Sequence, residues 1–165
     1  GILKLKKAHV AVFGIGGVGG YVSEAIGRSG VGKLTLIDGD VVSVSNINRQ
    51  IIALTSTVGK YKADVMKERI SDINPDAEVK TINAFLKPEN IDSFNLCDYD
   101  YVVDAIDDVK TKIALIKFCF DNNIPIIRIP YDADYDDRDL RLETTRFLLT
   151  QKNEKEYYES RKMRL

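Results

Sequence analysis

The chain has 165 residues, and 24 Lys plus Arg against 25 Asp plus Glu leave a formal net charge of −1. That length suits one domain, its 44% apolar and 30% charged residues supply a core and exclude a disordered tail, and the near-zero charge disfavours a uniformly basic nucleic-acid binder. Short apolar runs exclude a membrane span, and two cysteines, Cys97 and Cys119, in neither a C-x-x-C nor a zinc-ligand spacing, read as buried thiols of a cytoplasmic protein rather than a bridge.

Lys4, Lys6 and Lys7 are not followed by the apolar run and small-residue cleavage site of a secretory leader. The apolar run 9–13 stops at Gly14 and reads as a buried strand. A glycine cluster follows, then helical spacing over 21–28 that ends at Gly30 and Gly32. A second strand, 33–38, ends on Asp38. Residues 39–57 form a polar loop rich in Ser and Asn, longer than most connections and so a candidate for function. A helix is expected over 59–74, closed by Asn74-Pro75, then a strand at 78–83, a short helix or turn at 87–96, a strand at 101–106, a helix at 109–122 and a fifth strand at 124–129. Strands alternating with helices predict a Rossmann-like α/β fold: a mainly parallel sheet of about five strands with helices on both faces. Residues 1–130 form its core. Residues 131–165, an acidic stretch followed by a charged, helically patterned arm, form a second segment of unassigned role.

Gly14-Ile15-Gly16-Gly17-Val18-Gly19 meets the G-x-G-x-x-G pattern between a strand and a helix, where glycines let a phosphate approach backbone amides at a helix N-terminus. Asp38 stands about 20 residues on, the offset of a carboxylate that binds a ribose hydroxyl. A nicotinamide dehydrogenase fits these two features but leaves the next ones unused. Asn46, Asn48, Arg49 and Gln50 crowd one loop, and Lys60 and Lys62 open the following helix. A triphosphate attacked at its α-phosphorus needs such amide, guanidinium and ammonium donors where charge builds. Asp40 reads equally as a second ribose or loop contact and as part of an Asx turn, and Asp104 as a carboxylate bonding a neighbouring amide. A catalytic thiol is disfavoured, since the single histidine, His9, begins a strand.

Together the Gly-x-Gly-Gly-x-Gly loop, the phrase Ser45-Asn46-Ile47-Asn48-Arg49-Gln50-Ile51, the Gly59-x-x-Lys62 start and Asp104-Ala105-Ile106-Asp107 resemble the ThiF/MoeB/HesA branch of the ubiquitin-activating enzyme superfamily. Within that branch, residues 5–128 are most similar to the tRNA threonylcarbamoyladenosine dehydratases. The resemblance implies magnesium-dependent ATP binding and adenylation of a carboxylate, that of a threonylcarbamoyl group on tRNA, which then cyclises. It implies that Gly14, Gly16, Gly17 and Gly19 hold the nucleotide, that Asp38 binds the ribose with Asp40 nearby, and that Asn46, Asn48, Arg49 and Lys62 surround the phosphates. The resemblance further implies that Arg49 and Lys62 stabilise the pentavalent phosphorus, that Gln50 supports the loop, and that Asp107 holds magnesium. A homodimer is implied too, with the arm residues Phe147, Leu148 and Leu149 available to pack.

Two departures qualify the resemblance. Family members continue after the fifth strand into a substrate-binding half of roughly another hundred residues on the usual domain scale, which residues 128–165 do not match. An N-terminal arginine that reaches the partner's site is also absent, although Arg141 and Arg146 lie in a loosely similar phrase. A truncated or altered form with incomplete activity is therefore expected, with tRNA engaged through a missing or partner-supplied region. Asp132, Asp134, Asp136 and Glu143 match EF-hand positions one, three, five and twelve, but Asp137 replaces the turn glycine, so a solvated acidic loop is the better reading. The rival functions are an NAD-binding oxidoreductase domain and a non-catalytic assembly module on the same core.

Overall fold

Side chains of the first strand divide by parity. Val10 and Val12 of β1 (His9–Phe13) enter one core, and Ala11 and Phe13 enter another, as a strand covered on both faces requires. The computed structural model describes residues 1–128; the acidic loop and the helical arm expected from 131 to 165 lie outside the described residues. β2 (Lys33–Ile37), β3 (Glu78–Ile82), β4 (Tyr101–Asp104) and β5 (Ile126–Arg128) complete the sheet in the order β3-β2-β1-β4-β5. Every pairing is parallel. The Rossmann-like α/β fold read from the sequence is thus the fold observed.

Helices α2 (Gly17–Arg28) and α3 (Lys62–Ile73) cover the face carrying Val10, Val12, Leu34 and Leu36, with Ile26, Met66 and Ile70 packed there. Glu24 binds Arg28 of its own helix and Arg69 of α3, and Gly27 admits the Ile70 side chain. The opposite face is covered by α4 (Val109–Asp121), through Leu115 and Cys119, and by Phe94 and Leu96 from two short 3-10 segments. Phe13 stands opposite Ile37 on one side and Asp104 on the other, so β1, β2 and β4 end level. The chain runs from β1 outward to β2 and β3, then returns to β4 on the other side. That reversal leaves a crevice above the ends of β1 and β4.

Several boundaries differ from the sequence reading, among them the start of α2 at Gly17 rather than 21 and the end of β4 at Asp104 rather than 106. α1 (Ile2–Lys7) was not anticipated; Leu5 accepts the amide of Gly32, and a Cβ on Gly32 would stand 1.9 Å from the Lys6 carbonyl. α3 begins at Lys62 rather than 59, because Gly59 has φ +86° and both it and Lys60 bond to Val42 as part of a bridge across the loop. β5 begins at Ile126, after Pro125, which has no amide to donate but accepts that of Val102. Both cysteines are free thiols, but only Cys119 is buried as expected; Cys97 is exposed, because the 3-10 segment Leu96–Asp98 turns Leu96 into the core instead.

His9 sits at the other end of the sheet, with Nε2 2.9 Å from Thr35 Oγ1 and its ring edge-on to Tyr99. Burial holds its pKa below the ordinary histidine value, and Lys33 and Lys80 push the same way against Glu78 and Asp100. The unfolded chain therefore takes up the proton first, so this contribution is complete above about pH 6.5 and declines as pH falls through the lowered folded value. Urea unfolding between pH 7.5 and 5 should show this loss, and His9→Gln should flatten it; an unchanged pH dependence would remove His9 as its source.

Candidate functional site

Where β1 and β2 end, Gly14 turns the chain with φ +88°, and a Cβ there would stand 2.6 Å from the Ala105 carbonyl. Gly19 is equally constrained, since its Cβ would meet the Gly14 carbonyl at 1.8 Å. Both glycines let the loop lie against β4. Gly16 and Gly17 are less tightly packed, a Cβ on either meeting only Gln50 or Arg49 at 3.8–4.0 Å, and stand at the start of α2, whose first amides have no intrahelical acceptor. These amides and the helix dipole make an anion site.

Asp38 fixes this loop. Its Oδ2 accepts the Ile15 amide at 2.7 Å and its Oδ1 the Asp40 amide at 2.7 Å. Burial raises its pKa, opposed by those two amides and by Lys62. Each oxygen keeps a lone pair for a further donor such as a ribose hydroxyl. The Asx-turn alternative weighed for Asp40 is therefore realised with Asp38 as the acceptor, while the Asp40 carboxylate does something else. Its Oδ2 lies 2.9 Å from Nζ of Lys62, whose side chain is only 8% exposed against 54% for Asp40. The Lys62 amide donates to the Asp40 carbonyl as well.

Beyond Asp40 the chain forms a short 3-10 turn, Val44–Asn46. Buried Asn46 ties it back, accepting the Ser43 amide at Oδ1. Arg49 is exposed; its Nη1 donates to the Ser45 carbonyl and to Asn48 Oδ1, both at 2.9 Å. Gln50 is buried, and its Oε1 has no hydrogen-bond partner among the described residues.

A cavity of about 260 Å³ gathers most of these groups. Gly14, Gly16, Gly17, Asp38, Asp40, Asn46, Arg49, Gln50, Lys62 and Asp107 line it; Gly19 and Asn48 do not. Asn48 reaches the site through Arg49. The sequence reading missed an apolar wall of Phe13, Ile37, Ala84, Phe85, Leu86 and Ile106, wide enough in character to receive a flat base. Its signal was the position of Ala84, Phe85 and Leu86 just past β3, and the ring of Phe85 rests on Gly39, whose Cβ would come within 2.5 Å of it. Asp107 is exposed and its carboxylate has no hydrogen bond or ion pair among the described residues. Its neighbour Asp108 is committed to α4, accepting from the amide and hydroxyl of Thr111, which hold its pKa down. Asp107 is thus a carboxylate available to a hard cation, and the chemistry of the site fits magnesium. The Cys119 thiol is pushed up to about 12 by burial and is no nucleophile at neutral pH.

Asp38→Asn tests the loop directly, because one amide oxygen must replace two carboxylate acceptors and the NH2 group then faces a backbone N–H. A loss of about 1–3 kcal/mol in urea unfolding is expected. Unchanged stability would show that the two amides find other acceptors.

The ThiF family model matches residues 1–129. The chain is 52% identical over 128 residues to the tRNA threonylcarbamoyladenosine dehydratase of Haemophilus influenzae, covering 78% of this chain and 49% of that protein. It is 33% identical over 123 residues to the molybdopterin-synthase adenylyltransferase of Escherichia coli, covering 74% of this chain and 49% of that one. The crystal structure of E. coli tRNA N6-threonylcarbamoyladenosine dehydratase in complex with ATP superposes with a TM-score of 0.75 at 47% identity, over 77% of this chain and 52% of that one. The chain spans about half the length of these relatives. With a family model spanning most of its length and a fold shared at this identity, the chain belongs to the ThiF family.

Proposed function

We propose that this chain binds ATP with magnesium and serves as the adenylating half of a tRNA threonylcarbamoyladenosine dehydratase. The observation that carries the reading is the convergence of Arg49, Lys62, Asp107 and the N-terminus of α2 on one cavity beside an apolar wall. The relative whose name contains this activity was crystallised with ATP. A base would lie on the apolar wall, a ribose hydroxyl would donate to Asp38, and phosphates would face Gly16, Gly17 and Asn46. A carboxylate oxygen of the substrate then attacks the α-phosphorus, the bond to the pyrophosphate oxygen breaks, and an acyl-adenylate forms. Arg49 and Lys62 stabilise the charge that grows on the phosphorus oxygens. Magnesium bound at Asp107 supplies Lewis-acid neutralisation of phosphate charge.

The tRNA substrate, the cyclisation that releases AMP, and a homodimer belong to the same proposal. Exposed Val44, Ile47, Leu54 and Tyr61 on the loop between β2 and α3 support a partner surface. Among the described residues, no helix is long and apolar enough to cross a membrane.

Calorimetry with ATP, with and without magnesium, and with NAD checks the reading. Magnesium-dependent ATP binding without a response to NAD is expected. Asp107→Ala should weaken binding in magnesium roughly tenfold or more, about 1.4 kcal/mol, with unfolding unchanged; equal affinity of the variant would sink the role of Asp107, and NAD binding would favour the oxidoreductase alternative.

A further inference from the structure

Lys112 is a lysine in the wrong solvent. Its side chain is 3% exposed, and its Nζ lies 3.0 Å from Oδ2 of Asp104, itself 0% exposed. Removing two ions from water is costly, and such a pair persists only where good geometry and further hydrogen bonds compensate. Asp104 supplies the further bond: Oδ1 accepts the Ile106 amide at 3.1 Å. The residue after Ile106 is Asp107. On the same turn the Ala105 amide donates to the Phe13 carbonyl at 2.8 Å, and the Ala105 carbonyl is the surface against which Gly14 packs. Neither Asp104 nor Lys112 lines the cavity, whereas Ala105, Ile106 and Asp107 do.

We propose that Lys112 is a positioning residue: by holding Asp104 as an ionised acceptor, it fixes the 105–107 turn and so aims the Asp107 carboxylate into the cavity. Lys112 sits one turn into α4, on the helix that Asp108 caps, so the capped helix start and the buried pair clamp the turn from both sides. A neutral side chain at 112 leaves the buried carboxylate without its hydrogen-bonded counter-charge, with Arg128 on β5 the remaining cation that acts on it among the described residues, and weakens the charge-assisted bond to Ile106. The functional half of this proposal rests on the reading of Asp107 as the metal carboxylate; the structural half does not.

The test uses the full chain with Lys112→Met, and with Lys112→Met combined with Asp104→Asn, which removes the charge but keeps an oxygen for the Ile106 amide. Hydrogen exchange of the apo protein reads the turn, and calorimetry reads the enhancement of ATP affinity by magnesium. Lys112→Met should speed exchange at 105–107 about tenfold with β1 and β2 still protected. It should cut the magnesium enhancement about tenfold while metal-free ATP affinity stays within about twofold. The double variant should recover both. Should Lys112→Met fail to fold, Lys112→Gln, neutral but able to donate to Asp104, is read by the same criteria with a smaller expected change. Wild-type exchange at 105–107, or an equal rise in β1 and β2, overturns the proposal in favour of a general contribution to stability. Faster local exchange with an intact magnesium enhancement overturns the link to Asp107. Failure of the wild-type chain to bind ATP overturns the adenylation reading instead, and the exchange data still decide whether Lys112 holds the turn.

Discussion

The carboxylate of Asp38 is the joint of this structure. Standing just past β2, it accepts one amide from the glycine loop and one from the chain leaving the sheet, so the two segments that build the site are oriented by a single group. Everything downstream depends on that anchor. The turn it sets at Asp40 presents a carbonyl to the Lys62 amide and a carboxylate to the Lys62 ammonium, and the exchange of bonds between Val42, Gly59 and Lys60 closes the loop behind it. A long excursion between a strand and a helix thereby becomes a defined wall, with Arg49 and Gln50 brought to the cavity that Gly16 and Gly17 border.

The glycine motif performs two separable tasks. Gly14 and Gly19 are required because the backbone of β1's exit packs on β4's exit too closely for any side chain. Gly16 and Gly17 are required only where something must reach the start of α2. A motif that reads as one ligand-binding unit is half architecture. The same division recurs in the loop, where Asn48 spends its side chain on Arg49 and Asn46 spends its oxygen on Ser43. Asn46 also lines the cavity, where on the proposed reading its amide would meet a phosphate.

Much of this was legible in the sequence for physical reasons. The three central strands announce themselves through buried apolar runs and the two half-exposed edge strands through Val and Ile, and the glycine motif carries its own strand and helix context. What stayed hidden depends on long-range placement. α1 carries Ile2, Leu3 and Leu5 on exposed positions, so no apolar stripe marks it. Lys112 follows Lys110 in a charged helix start and reads as a solvated lysine, yet the distance from Asp104 along α4 puts it under the sheet end. Phe85 belongs to no strand or helix and gains meaning only because the end of β3 lies beside Gly39. Asn48, placed near the phosphates by resemblance, does not line the cavity, and its oxygen accepts from Arg49 within the loop.

The charges around the cavity bear on why a nucleotide would bring a metal with it. Asp38, Asp40 and Asp107 line the cavity against Arg49 and Lys62, and Lys62 already faces Asp40 while Arg49 rests on neutral oxygens. The local balance is therefore not strongly positive before any ligand arrives. A polyphosphate entering under the proposed reading gains the α2 dipole and the two cations, but it also meets the carboxylate of Asp107, exposed at the cavity and without a hydrogen bond or ion pair among the described residues, and like charges repel there. A divalent cation between phosphate and carboxylate reverses the sign of that contact. On the proposed reading Asp107 would penalise bare nucleotide and favour its metal complex, and the rigidity with which the buried Lys112–Asp104 pair holds its turn would determine how sharply the two are told apart.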